Sequence, residues 1–125
     1  MKKTQQIIRI LLGLMVLIFG LNKFLQFMPM PPLPEVAGEF MGALVNSGYL
    51  MVLVAVVEIV AGVMLLINRF QPLALIMLFP ILLNAFLFHL FLAPAGIGGA
   101  AFGIIMNIFL FFANKESYES ILKFK

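Results

Sequence analysis

The sequence predicts an all-α integral membrane protein, a four-helix bundle with both termini cytoplasmic and a short interfacial helix between the first and second spans. Three observations predict it. Apolar residues make up 64% of the 125-residue chain and charged residues only 10%, against about 25% charged in soluble domains. The apolar residues fall into four windows of membrane-spanning length, and the breaks between them are marked by proline, asparagine and glycine. A soluble fold of this size would leave that much apolar surface facing water, whereas lipid accepts it.

The windows cover residues 7–27, 49–67, 72–92 and 97–113. At 1.5 Å per residue, about 17–21 residues match a hydrocarbon core of about 30 Å. Amides in lipid must be satisfied internally, so each window should be a helix and the whole chain one four-span domain, 1–125. The first window follows Met1-Lys2-Lys3 as a signal peptide would, but it is of spanning length and has no small-residue cleavage site, and reads as a retained span. There is no cysteine for lipidation.

The longest connection opens with the proline-rich stretch 28–34, expected to be extended. Residues 35–46 then read as a short helix lying across one mouth of the bundle, with Val36, Phe40, Met41 and Leu44 on one face. Residues 68–72 form a tight turn, with Pro72 suited to the first turn of the third span. Pro80 lies inside that span, where it leaves a carbonyl one turn earlier without its donor. Residues 93–96 separate the third and fourth spans. In the tail, Tyr118, Ile121 and Leu122 share a side, which is expected to lie along the cytoplasmic surface.

Orientation follows from the cations. Lys2, Lys3 and Arg9 precede or open the first span, Arg69 lies in the second loop, and Lys115, Lys123 and Lys125 follow the fourth. The positive-inside rule places these segments in the cytoplasm of a plasma (inner) membrane protein. The net charge of +3 is distributed along span ends rather than gathered in a patch, which argues against nucleic acid as a partner and for membrane lipid.

Function, where polar groups serve it, must sit on the few polar side chains inside the windows: Asn22, Lys23, Glu58, Asn84, His89 and Asn107. Counting helix rise puts Glu58 at the centre of its span, with Asn84 and Asn107 within about 3 Å of centre on theirs, a midplane layer from three helices. Lys23 and His89 fall roughly 9–11 Å toward the outer side, beneath the short helix. A mid-depth carboxylate must be neutral or paired. Asn84, Asn107 and an inward-bent Lys23 are the partners on offer, and a hydrogen-bonded clamp and a functional site are both consistent with it. Snorkelling to the headgroups satisfies Lys23 more simply than pairing. His89 stands as a single histidine without cysteine, a poor metal site, so no metal is expected; an interfacial hydrogen bond or a proton-transfer role remain for it. Asn84 and Asn107 read as interhelical hydrogen-bonding residues, and Gly13, Gly20, Gly62, Gly99 and Gly103 as points of close helix approach. No phosphate loop, nucleophile triad or dinucleotide fingerprint is present.

Several stretches resemble DoxX-like membrane proteins (DoxX/DoxD type). Residues 9–14 read Arg-Ile-Leu-Leu-Gly-Leu and residues 19–24 Phe-Gly-Leu-Asn-Lys-Phe, like the opening helix of that family. Residues 47–50 (Ser-Gly-Tyr-Leu), 58–62 (Glu-Ile-Val-Ala-Gly) and 65–69 (Leu-Leu-Ile-Asn-Arg) look like its second, and Pro80, Asn84 and residues 88–94 (Phe-His-Leu-Phe-Leu-Ala-Pro) like its third. The resemblance implies a compact four-helix membrane bundle, with some relatives serving as membrane subunits of quinone-linked oxidoreductases. On that basis the chain is expected to be an accessory subunit of a membrane redox complex, holding a redox-protein partner and a diffusible quinone around Glu58, Asn84 and His89, with no covalently bound cofactor. Two other classes stand beside it: a binder or carrier of apolar small molecules, and a structural assembly factor without chemistry. Whether the chain is itself an enzyme is left open by the residues.

Overall fold

The computed structural model describes residues 2–26 and 33–122. Helix α1 runs Lys2–Leu25, α2 Glu35–Asn46, α3 Leu50–Leu66, α4 Gln71–Phe91 and α5 Ile97–Ala113, with 3-10 turns at Pro94–Gly96 and Lys115–Tyr118 and a last turn, α6, at Glu119–Leu122. The described residues are thus mostly helical and include no strand, in an all-α membrane bundle. Among them α1, α4 and α5 with its preceding turn are each long and apolar enough to cross a bilayer. The 17-residue α3 makes a fourth span when taken with α2, from which it is bent by 85°. Of the proline-rich stretch only Leu33 and Pro34 are described, along with none of residues 27–32 and 123–125. Pro34 caps α2 with φ −55° and ψ 156°, the extended backbone expected there.

The four long helices form a ring in the order α1, α3, α4, α5, each packing on the next and α5 closing on α1. Short connections make sequence neighbours antiparallel. At the α3–α4 turn Asn68 and Phe70 take left-handed φ of 57° and 56°, and Pro72 sits in the first turn of α4, where a missing N–H costs nothing. α4 stays helical through Pro80. The core is Leu12 and Val16 from α1, Leu65 from α3, Leu75 and Leu78 from α4 and Leu110 from α5, all fully buried.

The seam between α1 and α3 is the tightest. A Cβ on Gly62 would come within 3.0 Å of the Gly13 carbonyl and 3.1 Å of the Leu17 nitrogen. One on Gly20 would lie 3.0 Å from the Ala55 carbonyl and 3.1 Å from Glu58 Cβ. Residues 13, 16, 20 and 23 of α1 therefore face 65, 62, 58 and 55 of α3, two antiparallel stripes at alternating spacings of three and four. Of the other expected close-approach glycines, a Cβ on Gly103 would press only on the flexible tip of Met15, with Leu82 at an ordinary 3.5 Å, and one on Gly99 would meet nothing within 4 Å. Gly99 is exposed and is not a point of close helix approach within the chain.

The tail departs from its expected place. Tyr118 does not lie along a surface: it is 1% exposed, stacks on Phe111 at a centroid distance of 4.3 Å and donates its hydroxyl to the Pro72 carbonyl at 2.9 Å. A phenol can fill an apolar notch only if its O–H finds an acceptor, and the first turn of α4 supplies one. Asn114 joins the same corner, its Nδ2 donating to Gln71 Oε1 at 3.0 Å. The side chains of residues 121 and 122 are outside those described.

Candidate functional site

The six intramembrane polar residues do not converge on one layer. Two of them do meet. Lys23, at the last turn of α1, places Nζ 2.6 Å from Glu58 Oε1. Glu58 is 5% exposed and Lys23 half-buried. The helical stripes above explain the encounter: Gly20 lets α1 settle onto the α3 backbone beside Glu58, and Lys23 follows one turn later on the same face. Lys23 thus turns inward to a counter-ion instead of snorkelling to the headgroups. An unpaired carboxylate at this depth is expensive, and the lysine is the donor its neighbours provide.

The asparagines part company. Asn107 is fully buried, and its Nδ2 donates to the Leu75 carbonyl of α4 at 3.2 Å, so it does join two helices. Its Oδ1 is buried without a hydrogen-bond partner among the described residues. Asn84 is exposed on the outside of α4. The buried stripe of that helix is Ala74, Leu75, Leu78 and Leu82, and Asn84 lies off it. The expected midplane layer of Glu58, Asn84 and Asn107 is therefore replaced by two separate centres, the Lys23–Glu58 pair on the α1–α3 seam and Asn107 on the α4–α5 seam. Asn22, half-buried beside Lys23, lines the same space as that lysine.

That space is a cavity of about 670 Å³ between the end of α1, the face of α2 and the start of α3. Phe19, Met41 and Val52 give it apolar walls, while Asn22, Lys23, Gln26 and Tyr49 bring polar groups to it. Glu58 stands behind Lys23 rather than on the lining. Gln26 follows α1 with a left-handed φ of 50°. Gln26 and Tyr49 are not among the residues the sequence singles out, and Met41 stands there only on the apolar face of the short helix. Their signal is positional: all lie at helix ends or on the short helix, next to Lys23.

His89 is not part of this cavity. Its Nδ1 lies 3.1 Å from the Ala93 carbonyl, and since a carbonyl only accepts, the Nδ1 carries the proton. The ring lies over Gly96, where a Cβ would fall 2.5 Å from Cε1, and edge-on to Phe88, which in turn contacts Phe40 of α2 at 5.5 Å. His89 closes the α4–α5 turn and, through Phe88, steadies α2. Arg9 also has a role the charge pattern did not disclose: its guanidinium donates to the Leu65 and Leu66 carbonyls, satisfying the free end of α3. Among the described residues no group of three or more His, Asp or Glu side chains is placed to hold a metal ion.

Compared with known proteins, residues 4–90 match the model of the DoxX family. The matched stretch takes in α1 to α4, and with them Lys23, Glu58 and His89; Asn107 and α5 lie beyond it. No curated protein and no solved structure matches the chain.

Proposed function

The chain belongs to the DoxX family of membrane proteins, and from that premise we propose that it is an accessory subunit of a quinone-linked redox complex in the plasma (inner) membrane. In this reading it holds an apolar ring-bearing molecule in the cavity beside Lys23 and presents it to a redox-protein partner. The observation that carries the reading is an ion pair, Lys23–Glu58, set behind the wall of a cavity of about 670 Å³. A purely structural pair would be closed over by packed side chains; this one has Lys23 on the lining, its side chain about a quarter exposed (24%).

The donor set suits a quinone. Its ring carbonyls accept hydrogen bonds, and the Lys23 ammonium, the Gln26 and Asn22 amides and the Tyr49 hydroxyl all donate. Phe19, Met41 and Val52 cover an apolar ring. When bound, a quinone supplies electron and proton exchange with the partner. Lys23 would hold one carbonyl, and Glu58 would fix the ammonium and stand as the nearest carboxylate to give or take a proton through it. Orientation belongs to the same proposal: Lys2, Lys3, Arg69 and Lys115 cluster at the end of the ring opposite the cavity, so a cytoplasmic position for them puts the cavity on the outer side.

The structural-assembly reading draws on one observation, the seating of Gly20 against Glu58. Purification in native lipid, mass spectrometry of what accompanies the chain, and titration with a short-tailed quinone separate the two. Co-purified quinone and saturable binding, weakened about tenfold in Lys23→Met, support the proposal. Binding absent from the wild type, or as tight in Lys23→Met as in the wild type, refutes it. A Glu58→Gln chain that fails to assemble at all makes the pair a clamp.

A further inference from the structure

A second space opens on the opposite side of the bundle, a groove of about 580 Å³ between α4 and α5. Ile76, Phe79, Pro80, Ile108 and Phe112 form its walls, and Asn107 belongs to the lining. The side chains of Ile76, Phe79, Ile108 and Phe112 are exposed on the flank of the bundle, so the groove communicates with lipid.

One side-chain acceptor on this groove, Asn107 Oδ1, has no donor among the described residues, and the Ile76 carbonyl loses its usual helical donor to Pro80. Asn107 spends its amide nitrogen on the Leu75 carbonyl, and because that carbonyl can only accept, the side-chain oxygen must face the other way. That oxygen is buried and unpartnered among the described residues. Pro80 has no N–H, so the Ile76 carbonyl receives nothing from the residue four positions on. Ile76 stands in the second turn of α4, whereas Asn107 lies near the middle of α5. At that depth no water or headgroup is at hand to donate, and acyl chains carry no donor. An unmatched acceptor in hydrocarbon costs enough that native structures pair nearly all of them.

We propose that the α4–α5 groove binds a membrane-dissolved phenol or alcohol, its hydroxyl donating to Asn107 Oδ1 or the Ile76 carbonyl and its apolar ring lying against Phe79 and Phe112. The site selects by polarity. A hydroxyl completes the acceptors, whereas an ether or a ketone of the same shape brings further acceptors against them. It stands apart from the Lys23 cavity, whose lining offers donors, and does not rest on the reading given to that cavity.

The test uses the full chain in lipid nanodiscs and a photoactivatable alkylphenol, with labelled residues mapped by mass spectrometry. Labelling should be saturable and fall on residues 75–80 and 107–112. Unlabelled alkylphenol should compete about tenfold better than its methyl ether, the margin expected for one hydrogen bond. In Asn107→Leu that preference should shrink toward parity. Should Asn107→Leu fail to assemble, Ile108→Trp serves instead, since it alters only the exposed rim: helix content stays and phenol labelling is lost. Equal competition by phenol and ether in the wild type overturns the proposal. So does labelling spread over all lipid-facing helices without saturation, or a groove found closed by a second copy of the chain.

Discussion

The α1–α3 seam and the α4–α5 seam each bury polar side chains and reach opposite results. Between α1 and α3, Gly13, Gly20 and Gly62 bring backbone against backbone, and the polar residues on that seam find each other in the Lys23–Glu58 pair. Between α4 and α5, Phe79, Pro80 and Phe112 line an open groove, and among the described residues Asn107 finds a partner for only one of its two polar atoms. In hydrocarbon no solvent drives helices together, so the size of the seam residues decides whether a seam closes or leaves room. A closed seam locks; an open one can receive.

The comparison is broken most severely at the ion pair. Lys23→Met leaves Glu58 buried without a counter-ion, and should cost about 3 kcal/mol in a reversible unfolding assay in mixed micelles. Adding Glu58→Leu to that variant should recover most of the loss, because the uncompensated charge is what hurts. A double variant as unstable as the single one would show that the seam needs the pair itself.

Next in size are the glycines. Gly62→Ala pushes a methyl against the Gly13 carbonyl and the Leu17 backbone, neither of which can swing aside, and should cost about 2 kcal/mol. Gly103→Ala presses on the Met15 methyl, which can turn away, and touches Leu82 at an ordinary 3.5 Å; it should cost less than about 0.5 kcal/mol. Equal losses in the two would mean that α1 packs on α5 as rigidly as on α3.

The smallest effect is at the tail, and pH reads it. Burial pushes the Tyr118 phenol from 10.0 up to about 12. A raised value means the fold favours the protonated form. The contribution of the docked phenol is therefore complete below 10, and is lost as pH climbs from 10 through about 12. In a Tyr49→Phe chain, which keeps Tyr118 as its one tyrosine, ultraviolet titration of the phenolate should show a midpoint near 12. A midpoint at the ordinary 10.0 would mean an undocked tail. Tyr118→Phe, which leaves Pro72 without this donor, should lower stability by about 1 kcal/mol.

Helices and turns were legible in the sequence because hydropathy and proline act locally: a run too apolar for water has one solution in lipid, and Pro72 and Pro94 mark where it ends. Pairing was less legible, because depth was reckoned along each helix while rotation about the axis was left out. Depth alone separated Lys23 from Glu58 and joined Glu58 to Asn84. The stripe 13, 16, 20, 23 would have turned Lys23 inward, and the stripe 75, 78, 82 would have turned Asn84 out. Arg9 was read only for its charge, yet it also closes the end of α3, which needs the partner helix to be known. The cavity beside Lys23 follows from the 85° bend between α2 and α3, and no local pattern encodes that angle.

The Tyr118–Pro72 contact has a consequence for biogenesis. It bridges 46 positions, and it cannot form until the ribosome has passed α5. The α1–α3 seam needs only the residues up to Leu66 and its Arg9 clasp, so it can zip while translation continues. The bundle would then mature in two strokes, a hard pair first and a latch last, and until the latch falls the second pair stays open to whatever the bilayer offers.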